Sequence, residues 1–74
     1  MEIQDKYLPE IPERQVFLKN RIAEYKKQVF GGQLECKMAA INGEKRTIIN
    51  TEDMMKQIIA NIDTLTEELD NLEE

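Results

Sequence analysis

Cys36 is the strongest intrinsic nucleophile in the sequence, and nothing in the chain is suited to activate it. There is no His and no Ser, so neither a Cys–His pair nor a Ser-based triad can be assembled. One Cys without a His cannot complete a zinc site either. The expected role of Cys36 is that of a small buried apolar residue in a reducing setting. The carboxylates of "EELDNLEE" (67–74) could meet a divalent cation, but they lack the alternating ligands and the turn glycine of a calcium loop. They read as a solvated helix face. "GGQLECK" (31–37) has no Lys-Ser or Lys-Thr after its glycines and so makes no phosphate cradle. Lys45 and Arg46 read as solvated turn charges, with a contact point as the alternative. Met38, Met54 and Met55 can fill a core or form an adaptable binding surface. The expectation is a chain with no catalytic residue, no cofactor and no metal, hence not an enzyme.

The formal net charge of −5 is unevenly spread. Residues 1–50 carry nine Lys/Arg against seven Asp/Glu, and residues 51–74 carry one Lys against eight Asp/Glu. An acidic final segment opposes direct nucleic-acid binding, which needs a basic face. No apolar run is long enough to span a membrane, and "MEIQDK" has neither a basic leader region nor a myristoylation glycine. The expected location is the cytoplasm, or a virion if the chain is phage-encoded.

The elements that carry these residues are helical in pattern. Residues 1–10 lack apolar periodicity and read as an extended N-terminal arm, with Ile3, Tyr7 and Leu8 as its apolar residues; residues 11–74 read as a single small helical domain. Pro12 suits the first turn of a helix, where its missing N–H costs nothing. Ile11, Leu18, Ile22, Tyr25 and Val29 then follow a seam at helical spacing, with Gln15 filling one position. Near the C-terminus Met55, Ile58, Ile62, Leu65, Leu69 and Leu72 recur at alternating steps of 3 and 4, a heptad seam. Asn50 or Thr51 can cap that helix, and Glu52 and Asp53 complement its dipole.

The segment between the two seams supports two readings. Asn42-Gly43 is a strong signal for a two-residue β-hairpin turn, "RTII" is β-rich, and two glycines inside a helix cost about 2 kcal/mol relative to alanine. That gives an α+β helix–β-hairpin–helix. Against it, "QLECKMAA" consists almost wholly of good helix formers. Phe30, Leu34, Met38 and Ile41 recur at 4, 4, 3, and Val29, Gly32, Cys36 and Ala39 or Ala40 make a small-residue strip beside them. Gly43 would then stop the first helix, and the second seam would extend back through Ile48 to Glu44. The composition of the first putative strand tips the reading to an all-α antiparallel helical hairpin over about 12–41 and 44–73, pairing into a four-helix bundle. Gly31-Gly32 would face Met54-Met55. Antiparallel pairing would bring Arg14 and Lys19 near Glu67, Asp70 and Glu73.

The run "GGQLECKMAAINGEKRTIINTEDMMKQI", with a helix on each side, resembles the helix–hairpin–helix pattern of the small head–tail joining proteins of lambda-like phages. It departs from that pattern in its helix-forming first strand. "YKKQVFGGQLECKMAAINGE" leading into a heptad helix is similar to small helical proteins of tailed phages. Both resemblances imply a phage or prophage origin; the first also implies a structural role in head–tail joining, and the second implies no defined activity.

The expected function is a non-catalytic oligomerising or protein-binding module. Its expected interaction residues are Leu18, Ile22, Tyr25, Met55, Ile58, Ile62, Leu65, Leu69 and Leu72. The expected partner is a second copy, as a homo-oligomer, or another protein. The alternative is a small acidic inhibitor or regulator of a host protein, of anti-defence type, acting through the acidic face of Asp63, Glu67, Asp70 and Glu74.

Overall fold

A computed structural model describes residues 4–73. The chain forms a short 3-10 turn at Asp5–Tyr7, helix α1 at Ile11–Asn42 and helix α2 at Lys45–Glu73. No strand occurs among the described residues. The helices lie antiparallel, in a rod measuring 52 × 24 × 19 Å. That length matches the ~48 Å expected of a straight 32-residue helix. The Cα radius of gyration is 16.5 Å, against about 11 Å for a compact domain of this length.

α1 begins where the sequence places it. Pro12 sits in the first turn and Glu13 lies at the positive end of the dipole. Glu10 precedes the helix in an extended conformation (φ −61°, ψ 155°), and its carbonyl accepts from the Arg14 N–H at 2.9 Å. Arg14 Nε in turn donates to the Pro9 carbonyl at 2.7 Å, which fixes the angle of entry. The helix then runs unbroken through Gly31-Gly32 to Asn42.

The connection is a Schellman stop rather than a β-turn. Gly43 adopts φ 73°, ψ 23°, and it is the one residue with positive φ among those described. Its N–H donates to the Ala40 carbonyl at 3.3 Å, and the Glu44 N–H donates to the Ala39 carbonyl at 2.9 Å. These bonds satisfy two carbonyls that the helix end would otherwise leave unpaired. A type I′ hairpin turn needs positive φ at both central residues, and Asn42 remains helical. The helix–β-hairpin–helix alternative is therefore corrected: residues 33–41 and 45–50 are helix. The β-rich "RTII" is overridden by packing, since Thr47 and Ile48 turn partly inward against α1.

Two further expectations change. The Glu44 carbonyl accepts from the Ile48 N–H at 3.3 Å, so α2 starts where the 44–73 reading put it and the cap expected at Asn50 or Thr51 is not used. Asn50 and Thr51 are interior positions, and Thr51 is buried. Within the arm, Asp5–Tyr7 is a closed turn rather than extended chain, with the Tyr7 N–H donating to the Gln4 carbonyl at 3.0 Å. Ile3 of the expected arm lies outside the described residues. No helix is long and apolar enough to cross a membrane among the described residues.

Candidate interaction surface

The interface between the helices is a continuous heptad seam on both sides. On α1 the inward positions are Gln15, Leu18, Ile22, Tyr25, Val29, Gly32, Cys36 and Ala39. They repeat at 3 and 4 without a break, and they shrink toward the turn. On α2 they are Ile48, Thr51, Met55, Ile58, Ile62, Leu65, Leu69 and Leu72. The expected seam residues from Leu18 to Val29 and from Met55 to Leu72 thus lie between the two helices of one chain, whereas Ile11, the first residue of the expected seam, is exposed. Coverage is incomplete: Ile22 is buried, while Leu18, Tyr25, Met55, Ile58, Ile62, Leu65, Leu69 and Leu72 keep part of their surface in solvent. No large side chain is fully enclosed among the described residues.

The two adjacent glycines have different surroundings. A Cβ on Gly32 would stand 2.8 Å from both Met55 Cγ and Met55 Sδ, and 3.5 Å from Thr51 Cγ2. Gly32 is therefore the hole into which Met55 fits, small against large. A Cβ on Gly31 would meet nothing within 4 Å. The expectation that both glycines face Met54-Met55 holds for Gly32 and Met55. Gly31 points outward, and Met54 is exposed.

The seam settles the two candidate rows of α1. The small strip faces α2, with Ala39 rather than Ala40 as its last member. Phe30, Leu34, Met38 and Ile41 lie on the opposite face, at 62%, 45%, 65% and 85% exposure. Toward the open end Val16 and Phe17 are also exposed, and Phe17 lines the groove between the helices with Leu65 and Leu72. α1 thus carries a second row of large apolar residues on the face away from α2, with Glu24, Lys27 and Lys37 exposed on that same face, while the flanks carry Arg14, Lys19, Arg21, Lys26 and Glu35. Phe30, Leu34, Met38 and Ile41 stand as one helical row rather than singly.

The back of α2 is different. Asp63, Glu67 and Asp70 are exposed along it, so the acidic face expected from the sequence exists as a surface over the described residues; Glu74 lies outside them. The expected cross-helix attraction is present at one point, Lys19 Nζ to Glu73 Oε1 at 3.9 Å, with both side chains about half in solvent. Arg14 instead joins Leu8, Pro9, Phe17, Leu18, Glu68 and Leu72 around a cavity of about 460 Å³ at the open end. Leu8 of the arm is thereby brought onto the domain. Arg21 Nη2 donates to Tyr25 Oη at 3.2 Å and its guanidinium lies 5.3 Å from the Tyr25 ring, which holds the ring along the seam's edge.

The residues capable of chemistry remain dispersed. Cys36 lies partly covered on the seam as a free thiol. No group of three or more His, Cys, Asp or Glu is placed to hold a metal among the described residues. Of the three methionines considered for core or surface, Met55 is interior, whereas Met38 and Met54 stand outward at 65% and 53% exposure.

Comparison of the chain with protein-family models, with curated proteins and with solved structures finds no match.

Proposed function

We propose that this chain is a non-catalytic helical hairpin that works by association with protein, chiefly with further copies of itself, in a structural or assembly role. The observation that carries this reading is the unfinished core. The chain exposes 6236 Å², whereas a compact chain of 8.7 kDa exposes about 4,700 Å². Two helices alone bury one stripe each, and α1 carries a second apolar stripe with nothing over it. Pairing of two hairpins into a four-helix assembly is an ordinary solution for such an element. The sequence resemblance to small tailed-phage proteins is the support for a phage or prophage setting. The β-hairpin that part of that resemblance implied is absent among the described residues.

The test is the mass in solution together with thermal unfolding over a hundredfold range of chain concentration. An associating chain runs at a multiple of 8.7 kDa, and its Tm rises with concentration. A monomer with a concentration-independent Tm refutes the reading.

A second reading has its own observation: Asp63, Glu67 and Asp70 form an exposed acidic row with no ion pair among the described residues. It would act as an inhibitor docking on a basic surface of another protein. Reversal of all three charges to Lys should abolish such docking and leave helix content unchanged. Retained activity of the reversed chain sinks this reading.

A further inference from the structure

We infer that the outer face of α1 is the docking site for a second copy of this chain, in an antiparallel two-fold pairing with Leu34 on the axis. The inference rests on the self-association proposed above and names the surface that performs it. It is not the heptad seam, which the two helices of one chain already share.

Three observations converge. The first is area: the chain exposes about 1,500 Å² more than a compact chain of its mass. If each copy loses half or all of that excess, the interface totals about 1,500 to 3,000 Å², the range of stable dimers. The second is the direction of the apolar row. Phe30, Leu34, Met38 and Ile41 face away from α2, and the flanks of α1 are charged, so a second copy is drawn to the back of α1 rather than to its side. The corresponding back of α2 carries Asp63, Glu67 and Asp70, which does not suit an apolar row. An α1–α1 contact is self-complementary, as a two-fold interface requires.

The third is Gly31. It weakens α1, and no contact within the chain explains it, since a Cβ there would meet open space. Gly32 beside it is explained by Met55. With the axis at Leu34, the helical register sets Gly31 opposite the partner's Met38, repeating between chains the glycine–methionine fit seen within one. The same register sets Lys27 opposite the partner's Ile41 and Lys37 opposite the partner's Phe30. No like charges face each other, and the lysine stems lie along apolar surface with their ammonium groups in water.

The experiment is sedimentation equilibrium of the full chain and of Leu34→Glu, with Gln57→Glu on the back of α2 as the control. Wild type and Gln57→Glu should be dimers at about 10 μM chain. Leu34→Glu puts two carboxylates on the axis and should weaken association by about 100-fold or more, at unchanged helical circular dichroism. Should Leu34→Glu lose its helix signal, Leu34→Cys in a Cys36→Ser background decides instead: mild oxidation should give a covalent dimer. A dimer that survives Leu34→Glu, or a folded Leu34→Cys chain that stays monomeric on oxidation, overturns the surface while leaving self-association standing. A monomeric wild type overturns both.

Discussion

Gly32 and Met55 form the closest approach between the helices, and their coupling can be measured. Replacing Gly32 by Ala has two opposed effects. The helix gains about 1 kcal/mol from the better helix former. The new Cβ meets Met55 Cγ and Sδ at 2.8 Å, so Met55 must move. Overpacking costs about 1 to 3 kcal/mol, and the low end applies because Met55 is flexible and partly exposed. The net change in the native background is therefore zero to about 1 kcal/mol of destabilisation. Met55→Ala alone should cost about 1 to 2 kcal/mol, less than a fully buried methionine. In the Met55→Ala background the obstacle is gone, and the next contact, Thr51 Cγ2 at 3.5 Å, is ordinary. There Gly32→Ala should stabilise by about 1 kcal/mol. The coupling energy is then about 1 to 2 kcal/mol. Urea unfolding followed by circular dichroism, with all four chains at one concentration, measures it; in thermal scans each kcal/mol appears as about 4 to 8 °C. If Gly32→Ala stabilises equally in both backgrounds, the helices do not meet at Gly32 and the register argued here is wrong.

Three simpler outcomes follow from the same geometry. Gly43→Ala places a Cβ at φ 73° and should cost about 1 kcal/mol in chemical denaturation, with Gly43→Asn milder. Ile22→Ala empties the most enclosed large position of α1 and should cost about 2 kcal/mol by the same assay. Lys19→Ala breaks the Glu73 pair, but both side chains are largely solvated, so the change should stay below about 0.5 kcal/mol and shrink in salt.

The hairpin was legible where apolar size and helical period agree. Met55 to Leu72 and Leu18 to Val29 announce themselves by large side chains at alternating steps of 3 and 4, and the structure places both rows inside. Beyond Val29 the two signals part. The inward row continues as Gly32, Cys36 and Ala39, whose small size is what allows close packing, while the large residues Phe30, Leu34 and Met38 turn out. Hydrophobicity alone highlights the wrong row there; carrying the heptad register forward from Leu18 picks the right one. Asn42-Gly43 misleads for a related reason. The dipeptide suits a hairpin turn and a helix stop equally, and the helix-forming residues before it decide between them. Thr51 looks like a cap because a polar β-branched residue before two carboxylates is the usual start of a helix, yet here it fills the space beside Gly32. The outer row proposed as the surface for a second copy was legible only as composition, since nothing in a single sequence says which apolar residues the fold has already used.

The taper of the seam has a kinetic consequence. A helical hairpin closes most readily beside its turn, where the loop is shortest, and each doubling of loop length costs about 0.6 kcal/mol more in closure entropy. In this chain that early-closing end is lined by Gly32, Cys36, Ala39 and Thr51, which offer little apolar area when they meet. The side chains that reward contact most, Leu18, Ile22, Leu65, Leu69 and Leu72, meet last, at the far end of the rod. Nucleation and adhesion therefore sit at opposite ends of the molecule. The large side chains of the seam thus stand at the open end, where two paired helices fray most readily.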